Sequence, residues 1–150
     1  MEIAERLEVS STLAGFAGIV LTVSALFLPW GLMMPRYEEI LIPVNGLQAN
    51  YALTETYALV ALSIEILGFF LLLAGMRKVA SAILAAAASF MIFQTVVWLT
   101  QMNIAQYVTI YYVLFAFESI DYIGPYTNLV GSSFIILAAL LSLLQLRLGS

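Results

Sequence analysis

The chain contains no cysteine and no histidine among its 150 residues. Disulfides, thiol redox chemistry, histidine-ligated haem and the usual zinc and copper sites are therefore excluded, and the commonest general base is missing. Charge is scarce too. Only 9% of residues are Asp, Glu, Lys or Arg, against about 25% in an average soluble domain. Five of these are basic, and the net charge of −4 argues against nucleic acid, which selects basic faces. The sequence offers no glycine-rich phosphate loop, no carboxylate pair within one apolar run and no Ser-His-Asp set. The expectation is a protein that is not an enzyme and holds no cofactor and no metal.

What the chain has in excess is apolar surface: 63% of residues are hydrophobic and the mean hydropathy is +1.05. A soluble domain averages about 45–50% apolar, and a globule of this size cannot hide the surplus. Lipid must solvate much of the surface. Four runs approach the roughly 20 residues needed to cross a bilayer: residues 11–29, 54–76, 79–101 and 126–146. The predicted fold class is an all-α membrane protein, a four-transmembrane-helix bundle with a small extracellular β-hairpin and an aromatic interfacial segment. It forms one integral membrane domain over residues 1–150, with external loops at 30–53 and 102–125. The N-terminal stretch lacks a basic start and a small-residue cleavage site, so the first span is expected to be retained.

Small residues mark the faces on which these helices meet. Ala14, Gly18 and Thr22 recur every fourth residue, with Gly15 beside them, the small-xxx-small pattern of close membrane helices. In the second span Ala58, Ala61, Glu65, Gly68 and Leu72 share one face. Glu65 lies near the middle of that span, where an acid costs about 2.5–3.5 kcal/mol on insertion scales, so it should face other helices and not lipid. Its expected partners there are Gln94 or Thr95 on the third span, Thr22 or Ser24 on the first, and Ser132 or Ser133 on the fourth.

Between the spans, Leu28-Pro29-Trp30-Gly31 is expected to end the first helix, with Trp30 at headgroup depth. Asn45-Gly46 stands between two short apolar runs, 40–44 and 47–51, a hairpin signal because both central residues of a type I′ turn need positive φ. The ribbon so formed should pack on the second external segment. That segment, 102–124, reads as an interfacial helix or short strand rich in tyrosine and phenylalanine. The candidate partner-binding surface comprises Tyr37, Ile40, Ile42, Asn45, Gly46 and Tyr51 in the first loop, and Tyr107, Tyr111, Tyr112, Phe115, Phe117 and Tyr122 in the second. Glu38, Glu39, Glu55, Glu118 and Asp121 make this side acidic. A calcium site is one reading of them; a solvated acidic face is the plainer one.

Arg6, Arg77, Lys78 and Arg147 fall on one side of the predicted spans and only Arg36 on the other, so the positive-inside rule places both termini in the cytoplasm of a cell-membrane protein. Four spans, internal termini and a strand-bearing first loop that opens Trp30-Gly31-Leu32 resemble the claudin-type tetraspan arrangement, whose first loop carries a Trp and a Gly-Leu-Trp motif. Met33 stands where the second Trp would be, and the paired loop cysteines are missing. The resemblance therefore implies a layout and no junction function. Leu28-Pro29-Trp30 and the stretch Gly124 to Gly131 also look like features of small uncharacterised prokaryotic four-span membrane proteins, which brings no activity. Small multidrug exporters also have four spans but carry their key acid in the first. Rotary ATPase proteolipids carry theirs in the second helix of a hairpin, after a glycine-rich first helix. The functional expectation is a non-catalytic structural or accessory subunit, or a homo-oligomeric surface component, whose partners are the lipid bilayer and copies of itself or other membrane subunits. The alternative is a small proton- or cation-coupled transporter or channel using Glu65.

Overall fold

The computed structural model describes residues 3–35, 42–49, 57–101, 107–108, 112–115 and 122–148. Most of these are helical. Four helices run antiparallel in sequence order: α1 (Ile3–Ala25), α2 (Tyr57–Leu73), α3 (Arg77–Gln101) and α4 (Ile123–Leu148). Three of them, α1, α3 and α4, are long and apolar enough to cross a membrane, whereas α2 is a shorter apolar helix of 17 residues. At 1.5 Å per residue it is about 26 Å long, just under the hydrocarbon thickness of about 30 Å. The expected second span, 54–76, is thus longer than the helix; residues 54–56 lie outside the described residues, and 74–76 form a turn.

That turn is a helix terminator built on Gly75. Its φ of 81° is one that only glycine adopts freely. The Met76 N–H donates to the Leu71 carbonyl at 2.9 Å and the Gly75 N–H to the Leu72 carbonyl at 3.0 Å, a Schellman cap that satisfies two end carbonyls of α2. The other boundaries also shift from expectation. α1 begins at Ile3, because the Glu- and Leu-rich start is a good helix former. It closes at Ala25 through tightened bonds from Leu26 and Phe27, before Pro29 opens a strand. α4 takes Pro125 into its first turn, where the missing N–H is not needed.

The helices bury small and polar side chains and turn large apolar ones outward. α1 buries Ser11, Ala14, Gly15, Gly18, Thr22 and Ala25. α2 buries Ala58, Ala61, Leu62, Glu65, Gly68 and Leu72, the face its spacing predicts. Phe16, Phe70, Phe93, Leu67 and Leu140 are all more than half exposed. In water this would be a large apolar patch; in hydrocarbon it is the expected surface, because helix association there depends on close packing. α1 packs chiefly on α4, α4 on α3, and α3 on α2.

At one end the bundle carries a four-stranded antiparallel sheet of order β2-β1-β4-β3, from β1 (Pro29–Pro35), β2 (Ile42–Asn45), β3 (Tyr107–Val108) and β4 (Tyr112–Phe115). The central pairing joins the two connecting segments: Leu32 faces Phe115, Met33 faces Leu114 and Pro35 faces Tyr112. The second segment is therefore strand at 107–108 and 112–115 before α4 begins at Ile123, and the first does pair with it. The hairpin, however, is not the expected one. Ile42 to Asn45 pairs with β1, with a bulge between Pro29 and Gly31, and not with 47–51. Residues 46–49 form a helical turn instead. Asn45 caps it: its Oδ1 accepts from the Gln48 N–H and the Gln48 Oε1 accepts from the Asn45 N–H, both at 3.0 Å. This reciprocal capping box satisfies two otherwise orphaned donors.

The opposite end is tied by Glu8. Its carboxylate pairs with Arg77 at 2.9 Å and accepts from the Gln145 side-chain amide at 3.1 Å, so α1, α3 and α4 meet there.

Candidate functional site

Two features beneath the sheet concentrate the unusual chemistry. The first is the junction between sheet and bundle. Trp30 and Trp98 are fully buried, with ring centroids 6.0 Å apart and planes at 70°. The Trp98 Nε1–H donates to the Trp30 carbonyl and the Trp30 Nε1–H to the Ala25 carbonyl, each at 2.8 Å. Ala25, Val44 and Ala49 complete this small core, with Ile42 and Leu99 packed against it. Gly46 and Gly124 press on the Trp30 indole. A Cβ on Gly46 would come within 2.5 Å of the Ala25 carbonyl oxygen, and one on Gly124 within 2.6 Å of the Pro29 carbonyl oxygen. The single donor of Trp30 is thus spent on closing α1, and its ring packs inside the protein between sheet and bundle.

The second feature is a polar layer one to two turns deeper. Thr22 on α1, Glu65 on α2, Gln94 and Thr95 on α3, and Asn128 and Ser132 on α4 are each at most 1% exposed. The Asn128 Nδ2 donates to the Thr95 Oγ1 at 2.7 Å, and that hydroxyl donates to the Met91 carbonyl at 2.8 Å. The Thr22 hydroxyl bonds the Ile19 carbonyl at 3.1 Å and is also the polar side-chain neighbour of the Glu65 carboxyl. Beyond Thr22 neither Glu65 oxygen has a hydrogen-bond partner among the described residues, nor do the Asn128 Oδ1 and the Ser132 Oγ. Glycine sets the spacing. A Cβ on Gly131 would meet the Thr22 backbone nitrogen at 2.9 Å, so α1 and α4 touch backbone to backbone at this level.

Of the residues that sequence placed between helices, Glu65, Gln94, Thr95 and Ser132 share this buried layer. Ser133 does not: it is exposed, and its hydroxyl bonds the Leu129 carbonyl at 2.8 Å. One residue along a helix turns the side chain about 100°, here from the interior to the outside. Ser24 similarly bonds its own helix, at Val20. Asn128 was not anticipated as Thr95's partner; its place one helical turn before Ser132 was the available signal.

Of the proposed contact residues, Ile42, Asn45 and Gly46 are turned to internal tasks: packing, capping and close approach to Trp30. Tyr107, Tyr112 and Phe115 lie on β3 and β4, and Tyr122 is half-buried before α4. Tyr37, Ile40, Tyr51, Tyr111 and Phe117 lie outside the described residues, as do Glu38, Glu39, Glu55, Glu118 and Asp121. Among the described residues no three acidic side chains converge as for a metal. No family model, no curated protein and no solved structure matches this chain.

Proposed function

We propose that this is a non-catalytic four-span membrane protein that works by association, as a structural or accessory subunit of a larger assembly or as a homo-oligomeric surface component. One observation carries the reading: both connecting segments join in one sheet through β1 and β4, and that sheet is fixed to the bundle through Trp30 and Trp98. A platform held this way costs little further ordering when a partner binds. The inward packing of Ile42 and Gly46 moves the proposed contact surface toward β3, β4 and the tyrosine-rich chain around them. In this reading α2 makes a fourth crossing. The clasp at Glu8 puts Arg77 at the same end as both termini, and the basic count there makes that end cytoplasmic. The claudin-type likeness is proposed as one of layout only.

Native mass spectrometry after mild solubilisation tests association. The expected result is a fixed stoichiometry, of copies or of a co-purifying membrane subunit, that is lost when Tyr111 and Phe117 are both changed to serine. A uniform monomer would refute it.

A second reading, a small proton- or cation-coupled transporter, is favoured by the full burial of the Glu65 carboxyl between the helices. It requires ion-dependent flux in liposomes that Glu65→Gln abolishes; absence of flux removes it.

A further inference from the structure

The outward grooves of the bundle are not alike in charge. The groove over Leu129 and Leu137 on α4, the one over Leu59 and Leu67 on α2, and the one between α2 and α3 at Ala61 and Ala87 have uncharged walls. A further groove, of about 630 Å³, lies at the end where Glu8 clasps Arg77. Its walls are Lys78, Leu140, Leu143, Leu144, Leu146 and Arg147. Helical spacing explains its shape. Leu140, Leu144 and Arg147 stand four and three residues apart, with Leu143 beside them, on one face of α4. At 1.5 Å per residue this face runs about 10 Å inward from Arg147. Lys78 closes the charged end from the first turn of α3. The groove thus carries two cations at its mouth, leucine below them, and no Asp or Glu in its walls. The described acids at this end, Glu5 and Glu8, stand on α1, and Glu8 is engaged by Arg77 and Gln145.

We propose that this groove seats one anionic phospholipid of the adjoining leaflet, with its phosphate held by Lys78 and Arg147 and an acyl chain laid on Leu140, Leu143 and Leu144. Charge complementarity selects the headgroup, because basic pockets between membrane helices recognise anionic lipid. Lys and Arg suit the place: their charged heads reach headgroup depth while their stems stay on apolar surface. The leucines make lipid the source of the phosphate, since only an anion with a hydrocarbon tail fills both halves of the groove. The inference rests on this end of the bundle lying at a bilayer surface. It requires neither a partner at the outer sheet nor movement of an ion at Glu65.

The test is native mass spectrometry of the protein in neutral detergent, titrated with phosphatidylglycerol or with phosphatidylcholine of the same chains. Bound lipid and added protein copies appear at different masses, so the outcome is separate from that of the association reading. The expected result is one phosphatidylglycerol held several-fold more tightly than phosphatidylcholine. Lys78→Gln and Arg147→Gln should each weaken it about fivefold, the factor for one cation lost near an anionic lipid surface. Arg6→Gln removes a cation of the same end that does not line the groove, and it should leave the affinity unchanged. Inorganic phosphate should not displace the lipid when chloride holds the ionic strength fixed. Equal affinity for the two lipids overturns the proposal, as does displacement by phosphate or a loss with Arg6→Gln equal to that with Lys78→Gln. If Arg147→Gln fails to accumulate, Lys78→Gln decides, and an unchanged affinity in that variant overturns the proposal.

Discussion

Trp98 donates its indole N–H to the backbone carbonyl of Trp30 at 2.8 Å, joining the end of α3 to the first strand of the sheet. Trp30 passes its own donor to Ala25, so three elements close on one buried pair of rings. Trp98→Phe keeps most of the packing but strands the Trp30 carbonyl. It should cost about 1–3 kcal/mol, the penalty for an unsatisfied buried acceptor, read as a lowered melting temperature in detergent. The pair also has a spectroscopic signature. These are the chain's two tryptophans and both are fully buried, so emission should be blue-shifted and resist aqueous quenchers. A Trp30 exposed on the protein surface would quench readily.

Close approach of α1 and α4 should make glycine substitutions unequal. At Gly131 the added methyl meets backbone at Thr22, which cannot move alone, while at Gly15 it meets the ring edge of Phe69 at 2.9 Å. Gly131→Ala is expected to cost about 1–3 kcal/mol, as overpacking does, and Gly15→Ala distinctly less. Thermal unfolding of the two variants side by side checks the order.

The capping box at Asn45 makes a prediction that a hairpin would not. Asn45→Ala should cost about 0.5–2 kcal/mol, as the loss of a helix N-cap does, and Asn45→Asp should be tolerated. A type I′ turn would demand positive φ at Asn45 and Gly46, whereas among the described residues only Gly75 is a positive-φ glycine. Unfolding of the alanine and aspartate variants separates the two geometries.

These cases show where the sequence was legible. The buried faces of α1 and α2 follow from small residues repeating at helical spacing, since that spacing alone fixes which side chains share a face. Glu65 was expected inside because an acid is too costly against lipid, and it is inside. Strand β1 was not legible. Pro29 to Pro35 has no alternating pattern, and its partner Tyr112 to Phe115 lies far along the chain, so only the folded bundle brings them into register. Asn45-Gly46 misled because the same dipeptide suits a hairpin and a helix cap. Here Gly46 is pressed against the end of α1 and the Trp30 indole, and an added Cβ would come within 2.5 Å of the Ala25 carbonyl oxygen.

The clasp at the far end should be weak. The Glu8 side chain is 56% exposed and that of Arg77 is 25% exposed, and exposed ion pairs contribute about 0.2–1 kcal/mol. Glu8→Ala should lower stability by no more than about 1 kcal/mol, and the loss should shrink at high salt as screening removes the ion-pair part. A double-mutant cycle with Arg77→Ala at two salt concentrations measures it.

The account depends most on the sheet and the Glu8 clasp lying on opposite sides of a membrane. The chain has no cysteine, so single cysteines at Arg36 and Lys78 can be labelled without background. In sealed right-side-out vesicles a membrane-impermeant thiol reagent should modify Arg36→Cys at once, and Lys78→Cys only after the membrane is permeabilised. Equal labelling of both before permeabilisation would contradict the four-span arrangement and, with it, the placing of the sheet as an outward contact surface.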